Sequence, residues 1–346
     1  MRFLILTSAI LVAHLALALP DVATELYSPL IPSKVLATAN KLNNKFPQYT
    51  DSTVGAWQLF SADTWTSGFF PATLYALETR KTLCGATSAN GLNVADWADL
   101  GRKTGAGLAA LTTSNSVGHD VGFLSFPYVD ELSINPSNAT AAAIVNGFAT
   151  YLAGRFNPTV GCTRSWDSSD PTDFVLAVVH GAEDKLGQYM DTQTVGVSFL
   201  PRDDLFSPVI SVYNWTGDYN YLLTARRLAT YFLDTLPSDG IVPWDFNAPV
   251  ENRPADSSAA TIVATGLLLL SKVETDILNR VKWWTAAINI LNNITSLAWD
   301  PSWESLLANG TVNKPANNYL TGTVYGDYYY IVAGNELISM GLAKCP

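Results

Sequence analysis

The chain has few of the residues on which the commonest catalytic and metal sites depend. Its 346 residues include three cysteines and three histidines, and only His119 and His180 lie beyond the first twenty positions. These two are not at metal-ligand spacing, and no C-x-x-C or H-E-x-x-H motif occurs. A G-x-S-x-G elbow and a phosphate-cradling glycine loop are also missing. The sequence therefore disfavours a zinc site and a Ser-His-Asp triad and leaves carboxylate chemistry among aromatic residues.

Positive charge is scarce as well. Lys and Arg number 20 against 30 Asp and Glu, which gives a formal net charge of −10. Such a balance disfavours nucleic acid and anionic membranes as partners. It does not disfavour an acidic sugar, because a local site can oppose the overall sign. Nothing in the sequence points to a partner protein.

A long apolar run occurs only at the start of the chain. Arg2 precedes it, and Ala16-Leu17-Ala18 ends it with the small-x-small pattern of a cleavage site. The run is too short for a membrane anchor. We therefore predict a signal peptide over 1–18 and a secreted protein. Four glycosylation sequons agree with that route, at Asn138, Asn214, Asn293 and Asn309.

The three cysteines, Cys84, Cys162 and Cys345, allow one disulfide and one free thiol. We expect Cys84 to pair with Cys162. A single disulfide cannot hold a chain of this length together as it does in small disulfide-rich proteins, so the fold must depend on a hydrophobic core. Without a linker or low-complexity stretch, residues 19–346 are predicted to form a single domain.

Helical periodicity dominates the pattern. Residues 219–236 have one apolar stripe, with Asp218 as the expected N-cap, whereas 257–271 are small or apolar all round and follow Asp256. This contrast predicts an outer and an inner helical layer. Further helices are expected over 33–45, 69–80, 93–113, 139–155, 276–297 and 328–342. Segments 195–200 and 240–246 could be short strands or loops. The chain is therefore predicted to be all-α, built from helical hairpins that can close into a toroid.

The stretch SVGHDVGFLSFPYVDEL places Asp120 beside His119 in an apolar loop. Desolvation there should raise the pKa of the carboxyl, which suits a general acid that works near neutral pH. The alternative is a loop carboxylate that caps backbone N–H groups, with His119 as its hydrogen-bond partner.

Tryptophans form a second group of candidates, because their faces can stack on sugars and their N–H groups can bond to hydroxyls. Core packing is the alternative for each, and it is weaker where an acid lies close by, as at Trp65, Trp166 and Trp244. The tryptophans in loop-like contexts are Trp57, Trp65, Trp166, Trp215, Trp244, Trp299 and Trp303. For Asp256, and for Asp327 within YGDYYY, helix capping is the competing interpretation.

Seven motifs in the same order resemble those of the unsaturated glucuronyl hydrolases, glycoside hydrolase family 88. They are DTWTSGFFPATLYALE (63–78), HDVGF (119–123), RSWD (164–167), WTGDYNYL (215–222), LPSDGIVPWDFNAP (236–249), ADSSAATIVATGLLLLS (255–271) and YGDYYYIVA (325–333). The resemblance implies an (α/α)6 barrel with its site at one mouth. It also implies removal of a 4,5-unsaturated uronic acid from the non-reducing end of oligosaccharides left by polysaccharide lyases, with no metal or organic cofactor.

In that family an aspartate protonates the C4=C5 enol ether and activates water, and the hemiketal that forms then opens. By position, Asp120 matches one of the family's two essential aspartates, and His119 lies beside it at the barrel mouth. Trp65 and Trp166 match aromatics that line the sugar site, and Tyr325 and Tyr328 match the C-terminal motif near it. The related unsaturated rhamnogalacturonyl hydrolases share this fold and chemistry.

The pattern departs from the family over 175–208, where the family's second acid, its main proton donor, would follow in an Asp-Asn-Met helix. Barrel helices are lost or replaced there, so the barrel is expected to be incomplete. A faulty gene model is the simplest account and real divergence the alternative, with Asp184 or Asp191 as possible stand-ins. A catalytically dead, carbohydrate-binding remnant is therefore the competing hypothesis.

Overall fold

The computed structural model describes residues 21–158, 162–164, 210, 213–214 and 216–345. The expected signal peptide, Trp166, Trp215 and the anomalous segment 175–208 lie outside these ranges. The described ranges hold nine α-helices and three two-stranded antiparallel sheets. The all-α prediction is therefore confirmed.

The helices are α1 Leu30–Ala39, α2 Phe69–Cys84, α3 Trp97–Gly105, α4 Phe126–Ile134, α5 Ala139–Ala153, α6 Tyr219–Thr235, α7 Ser257–Val273, α8 Ile277–Ala298 and α9 Val324–Ser339. The strands are β1 Phe46–Thr50, β2 Trp57–Phe60, β3 Phe156–Asn157, β4 Cys162–Thr163, β5 Gly310–Asn313 and β6 Asn318–Thr321. They pair as β1–β2, β3–β4 and β5–β6. Each strand pair is a short antiparallel hairpin beside the helices.

Helix α7 is the inner helix that its composition predicts. Fourteen of its residues are buried, and it packs against α8 and α9, with α6 on a further side. Asp256 caps its N-terminus by accepting hydrogen bonds from the N–H groups of Ser258 and Ala259. A helix that is apolar all round can be stable in water only when neighbours cover it in this way.

Helix α2 joins the two ends of the described chain. It packs against α9, and its Arg80 is 4% exposed. The Arg80 guanidinium donates to the carbonyls of Leu26 and Ile331 and to the side-chain oxygen of Asn335. A buried cation is tolerated when its donors are satisfied in this way.

Two predicted helices are corrected, one helix was not expected, and one segment left open between strand and loop is a loop. Helix 93–113 is divided, because α3 ends at Gly105 and a 3₁₀ helix follows over Ala106–Thr112. Helix 33–45 ends at Ala39, and α4 was not expected at all. Segment 240–246 forms a loop with one isolated bridge, between Pro243 and Ala255.

The expected Cys84–Cys162 disulfide is wrong, because Cys84 bonds to Cys345. Cys84 is the last residue of α2, and Cys345 follows α9, which packs on α2. Helix packing therefore brings the two Cα atoms to 5.4 Å. Within the described ranges, no helix has both the length and the apolarity needed to cross a bilayer.

Candidate active site

Asp120 lies in the first turn of a 3₁₀ helix, Gly118–Ser125, and the loop before it is held by side chains. The side-chain oxygen of Asn115 accepts hydrogen bonds from the N–H groups of Val117 and Gly118, both at 3.1 Å. The N–H of Ser116 donates to both carboxylate oxygens of Asp63, at 2.9 and 3.0 Å. The side chains of Asn115 and Asp63 therefore hold the backbone of residues 116–118, just before Asp120.

His119 and Asp120 are in contact with each other. His119 Nε2 lies 3.2 Å from Asp120 Oδ1, and the two side chains are 9% and 24% exposed. Burial raises the pKa of the Asp120 carboxyl above its usual range, against a smaller lowering by His119 and Arg155. The expected hydrogen-bond partner and the expected direction of the pKa shift are both present. The catalytic role of Asp120 stays a prediction.

An aromatic cluster adjoins this helix, and we define it as Trp65, Phe69, Phe123, Phe126, Tyr325 and Tyr328. The Trp65 ring centroid lies 5.2 Å from that of Tyr325 and 5.6 Å from that of Phe123. Phe69, in the first turn of α2, contacts the other five rings. Three candidates from the sequence, Trp65, Tyr325 and Tyr328, therefore meet in one place.

Phe123 connects the cluster to the acid. It lies one 3₁₀ turn after Asp120 in the same helix, so the carboxyl and the aromatic rings share one rigid element. Trp65 and Tyr325 are half-buried and keep part of their surface open. An aromatic surface beside a poorly solvated carboxyl can hold a sugar ring and transfer a proton to it.

Two other tryptophans are half-buried and pack against neighbouring residues away from the aromatic cluster. The Trp299 ring stacks on Tyr330 at 6.2 Å. Trp303 lies over Gly55, where a Cβ would come within 2.1 Å of its ring, and Gly55 has a positive φ of 70°. The packing alternative is therefore correct for Trp299 and Trp303.

The two aspartates with competing capping roles differ from each other. Asp256 is a cap, as expected. Asp327 is not, because Thr323 caps α9 and Asp327 accepts hydrogen bonds from the N–H groups of Leu306 and Leu307. Burial raises the pKa of Asp327 to about 7. Asp327 thus fixes a neighbouring loop.

Sequence reasoning missed two charged residues near the site. Arg155 is 8% exposed and acts electrostatically on Asp120. It is the only charged residue of 139–155, a signal that could have marked it. Asp130, in α4, has its pKa raised to about 7 by burial, and its charge acts on the Tyr328 hydroxyl. Asp130 lies within an apolar helix that was itself not expected.

The described residues contain no group of three or more His, Cys, Asp and Glu side chains that could hold a metal ion. In this part of the chain the site brings together the Asp120 carboxyl, His119, Arg155, Asp130 and the aromatic cluster.

Comparisons with known proteins relate this arrangement to one group of enzymes. No protein-family model matches the sequence. An unsaturated glucuronyl hydrolase of Formosa agariphila is 25% identical, and the match covers 84% of this chain and 84% of that protein. The crystal structure of an unsaturated glucuronyl hydrolase specific for heparin has a TM-score of 0.74 at 19% identity, over 93% of this chain and 98% of the other.

A mutant unsaturated glucuronyl hydrolase from Streptococcus agalactiae, complexed with dGlcA-GalNAc6S, has a TM-score of 0.67 at 16% identity. The match covers 92% of this chain and 93% of the mutant enzyme's chain. The shared fold confirms the toroid of helical hairpins expected from the sequence. In sequence and in fold, the chain is a homologue of the unsaturated glucuronyl hydrolases.

Proposed function

We propose that the protein is a glycoside hydrolase that removes 4,5-unsaturated uronic acid from the non-reducing end of oligosaccharides. The observation that carries the proposal is the position of Asp120. It is a poorly solvated carboxyl in contact with His119, on the helix that brings Phe123 into the aromatic cluster. The homologues are named for this activity, which supports the same reaction class here.

The proposed reaction begins when Asp120, in its protonated form, gives its proton to C4 of the C4=C5 enol ether. Water adds at C5 and returns a proton to the Asp120 carboxylate, which restores the acid. The hemiketal then opens by breaking the C5–O5 bond, which leaves a ketone at C5 and a hemiacetal at C1. Collapse of this hemiacetal to an aldehyde breaks the C1–O bond to the remaining sugar and releases that sugar as an alcohol. Burial raises the pKa of the Asp120 carboxyl and so favours its protonated form, which the first step needs in the absence of the family's second acid.

The aromatic cluster is proposed to bind the unsaturated ring. Trp65 and Tyr325 present half-buried faces that can stack on the sugar, and Tyr328 lies behind them beside Phe126. Trp166 is proposed as a further sugar-site aromatic, on the resemblance alone. The substrate is proposed to be an oligosaccharide left by a polysaccharide lyase, and the protein is proposed to be secreted and glycosylated.

Two other functions remain candidates. An unsaturated rhamnogalacturonyl hydrolase would use the same site on a different neighbouring sugar. A carbohydrate-binding remnant is favoured by the departure over 175–208, which removes the family's second acid from the sequence.

One assay separates the three. Secreted protein is incubated with unsaturated chondroitin, heparin and rhamnogalacturonan disaccharides, and the ultraviolet absorbance of the conjugated C4=C5 bond is followed. Loss of absorbance supports a hydrolase, and the preferred disaccharide identifies its type. Sugar binding with no loss of absorbance would overturn the hydrolase proposal in favour of the remnant.

A further inference from the structure

Arg155 is a buried cation just beyond the C-terminus of α5. Its side chain is held from one side, since Nε donates to the carbonyl of Arg164 at 2.9 Å. The N–H of Arg164 donates in turn to the carbonyl of Arg155, at 3.0 Å. These two bonds lie beside the β3–β4 hairpin, so the guanidinium has a defined position.

The same guanidinium faces the turn that leads to Asp120. A Cβ on Gly118 would lie 3.8 Å from Nη2 of Arg155 and 3.9 Å from its Cζ. Gly118 has a φ of +69°, a left-handed conformation that favours glycine. The turn therefore passes directly against the cation, two residues before the carboxyl.

Charged groups approach this loop from several elements. Within the described ranges, His119 and Arg155 act on the Asp120 carboxyl, from its own helix and from the end of α5. Asp63, from the segment before α2, accepts the hydrogen bond of the Ser116 N–H. Arg164 follows β4 and offers its carbonyl to Arg155. In the described part of the chain, Arg155 is thus the one permanently charged cation that both acts on Asp120 and packs against its turn.

We propose that Arg155 is the positioning residue for Asp120, because its guanidinium packs against the Gly118 turn and carries a permanent positive charge there, two residues before the carboxyl. The proposal rests on the proposed function, in which Asp120 transfers the proton. Neither the resemblance to the family nor the sequence pattern had assigned Arg155 a role.

The direction of the effect follows from charge. Burial raises the pKa of Asp120, and the positive charge of Arg155 opposes that rise by favouring the carboxylate. Removing the charge should therefore raise the pKa of Asp120 further.

The test compares pH profiles of kcat and kcat/KM for Arg155→Met, Arg155→Lys and Arg227→Met. Arg227 is exposed on α6, so its replacement removes the same charge away from the site. In Arg155→Met the limb of the profile that Asp120 controls should move to higher pH. In Arg155→Lys the limb should lie close to its pH in the parent protein, because the positive charge is kept. In Arg227→Met the limb should lie at the same pH as in the parent protein. An unmoved limb in Arg155→Met would overturn the proposal.

A second measurement does not depend on activity. The free energy of unfolding is measured against pH for proteins with Asp120 and for Asp120→Asn. Each is studied with Arg155 intact, with Arg155→Lys and with Arg155→Met. For each residue at position 155, the difference in free energy of unfolding between the protein with Asp120 and the protein with Asp120→Asn changes with pH as Asp120 titrates, and the midpoint of that change is recorded. This midpoint should lie highest in the proteins that carry Arg155→Met.

The two proposals can fail separately. A midpoint that moves in a protein without hydrolase activity would reject the proposed function and keep the relation between Arg155 and Asp120. Hydrolysis with an unmoved midpoint would reject the role of Arg155 alone. Should Arg155→Met fail to fold, Arg155→Gln against Arg155→Lys gives the same comparison of charge, with the same two outcomes.

Discussion

Trp65 and Tyr325 pack with their ring centroids 5.2 Å apart, although they come from opposite ends of the described chain. Trp65 lies just before α2, and Tyr325 is in the first turn of α9. Because α2 and α9 pack on each other, the surface proposed to bind the sugar is assembled by the same contact that joins early and late helices. Binding and fold closure therefore depend on one interface.

Asp120→Asn should abolish most of the activity while the fold is retained. The amide keeps the shape of the carboxyl but cannot give up a proton and take it back, and general acid catalysis is typically worth about 10²–10⁴-fold. The measurement is the rate of absorbance loss with an unsaturated disaccharide. Asp99→Asn is the matched control, because Asp99 forms an exposed ion pair with Lys103. Full activity of Asp120→Asn would refute the role of this carboxyl.

Trp65→Phe should weaken substrate binding more than it slows the chemical step. Phe keeps a ring against Tyr325 but loses the indole N–H and part of the stacking area. We expect KM to rise several-fold, with kcat changed less. Trp299→Phe is the control, since the half-buried Trp299 stacks on Tyr330 outside the aromatic cluster, and its replacement should alter thermal stability without altering KM. A rise in KM only for Trp299→Phe would contradict the assignment.

Breaking the Cys84–Cys345 disulfide should lower stability. The bond closes a long loop, with a sequence separation of 261, and loss of a native disulfide typically costs about 2–5 kcal/mol. Cys84→Ser and Cys345→Ser should lower the Tm equally under oxidising conditions, whereas Cys162→Ser should not. Equal losses for Cys84→Ser and Cys162→Ser would instead support the pairing expected from the sequence.

Asp327 should make stability fall as pH rises from about 4 to about 7. Burial holds the pKa of Asp327 at about 7, from a usual 3.8, so the native state keeps a proton that the unfolded chain has already lost. Ionisation in the folded state then costs at most about 4 kcal/mol. Asp130 contributes in the same direction.

Denaturant unfolding across that pH range tests this dependence. In Asp327→Asn the decline should be shallower, because the side chain no longer ionises. Asp99→Asn should leave the slope unchanged, as its carboxyl is exposed. A slope equal to that of the parent in Asp327→Asn would show that this carboxyl does not govern the dependence.

Most of the helices could be predicted because their local pattern is strong. The all-apolar run of α7 and its Asp256 cap, and the stripe of α6, are properties of neighbouring residues. Helix α4 has no clear polar face, which is why periodicity missed it. The disulfide and the bonds of Asp327 could not be predicted, because both depend on which distant segments the packing brings together.

For the site as well, the sequence could predict the residues but not how the fold brings them together. The neighbours His119 and Asp120, and the aromatic residues of the motifs, could be named from the sequence. Their assembly around Phe69 could not, since it depends on α2, α4 and α9 packing side by side. Arg155 reaches Asp120 only through the fold, and no local spacing connects the two residues.

Arg80 has a consequence for how the protein is made. Its three partners lie in segments that leave the ribosome early, around Leu26, and late, at Ile331 and Asn335. While α9 is still unsynthesised, Arg80 of α2 lacks two of its three acceptors, and the face of α2 that packs on α9 is uncovered. The newly made N-terminal part must therefore wait in an aggregation-prone state, and chaperones should be needed until the ring closes.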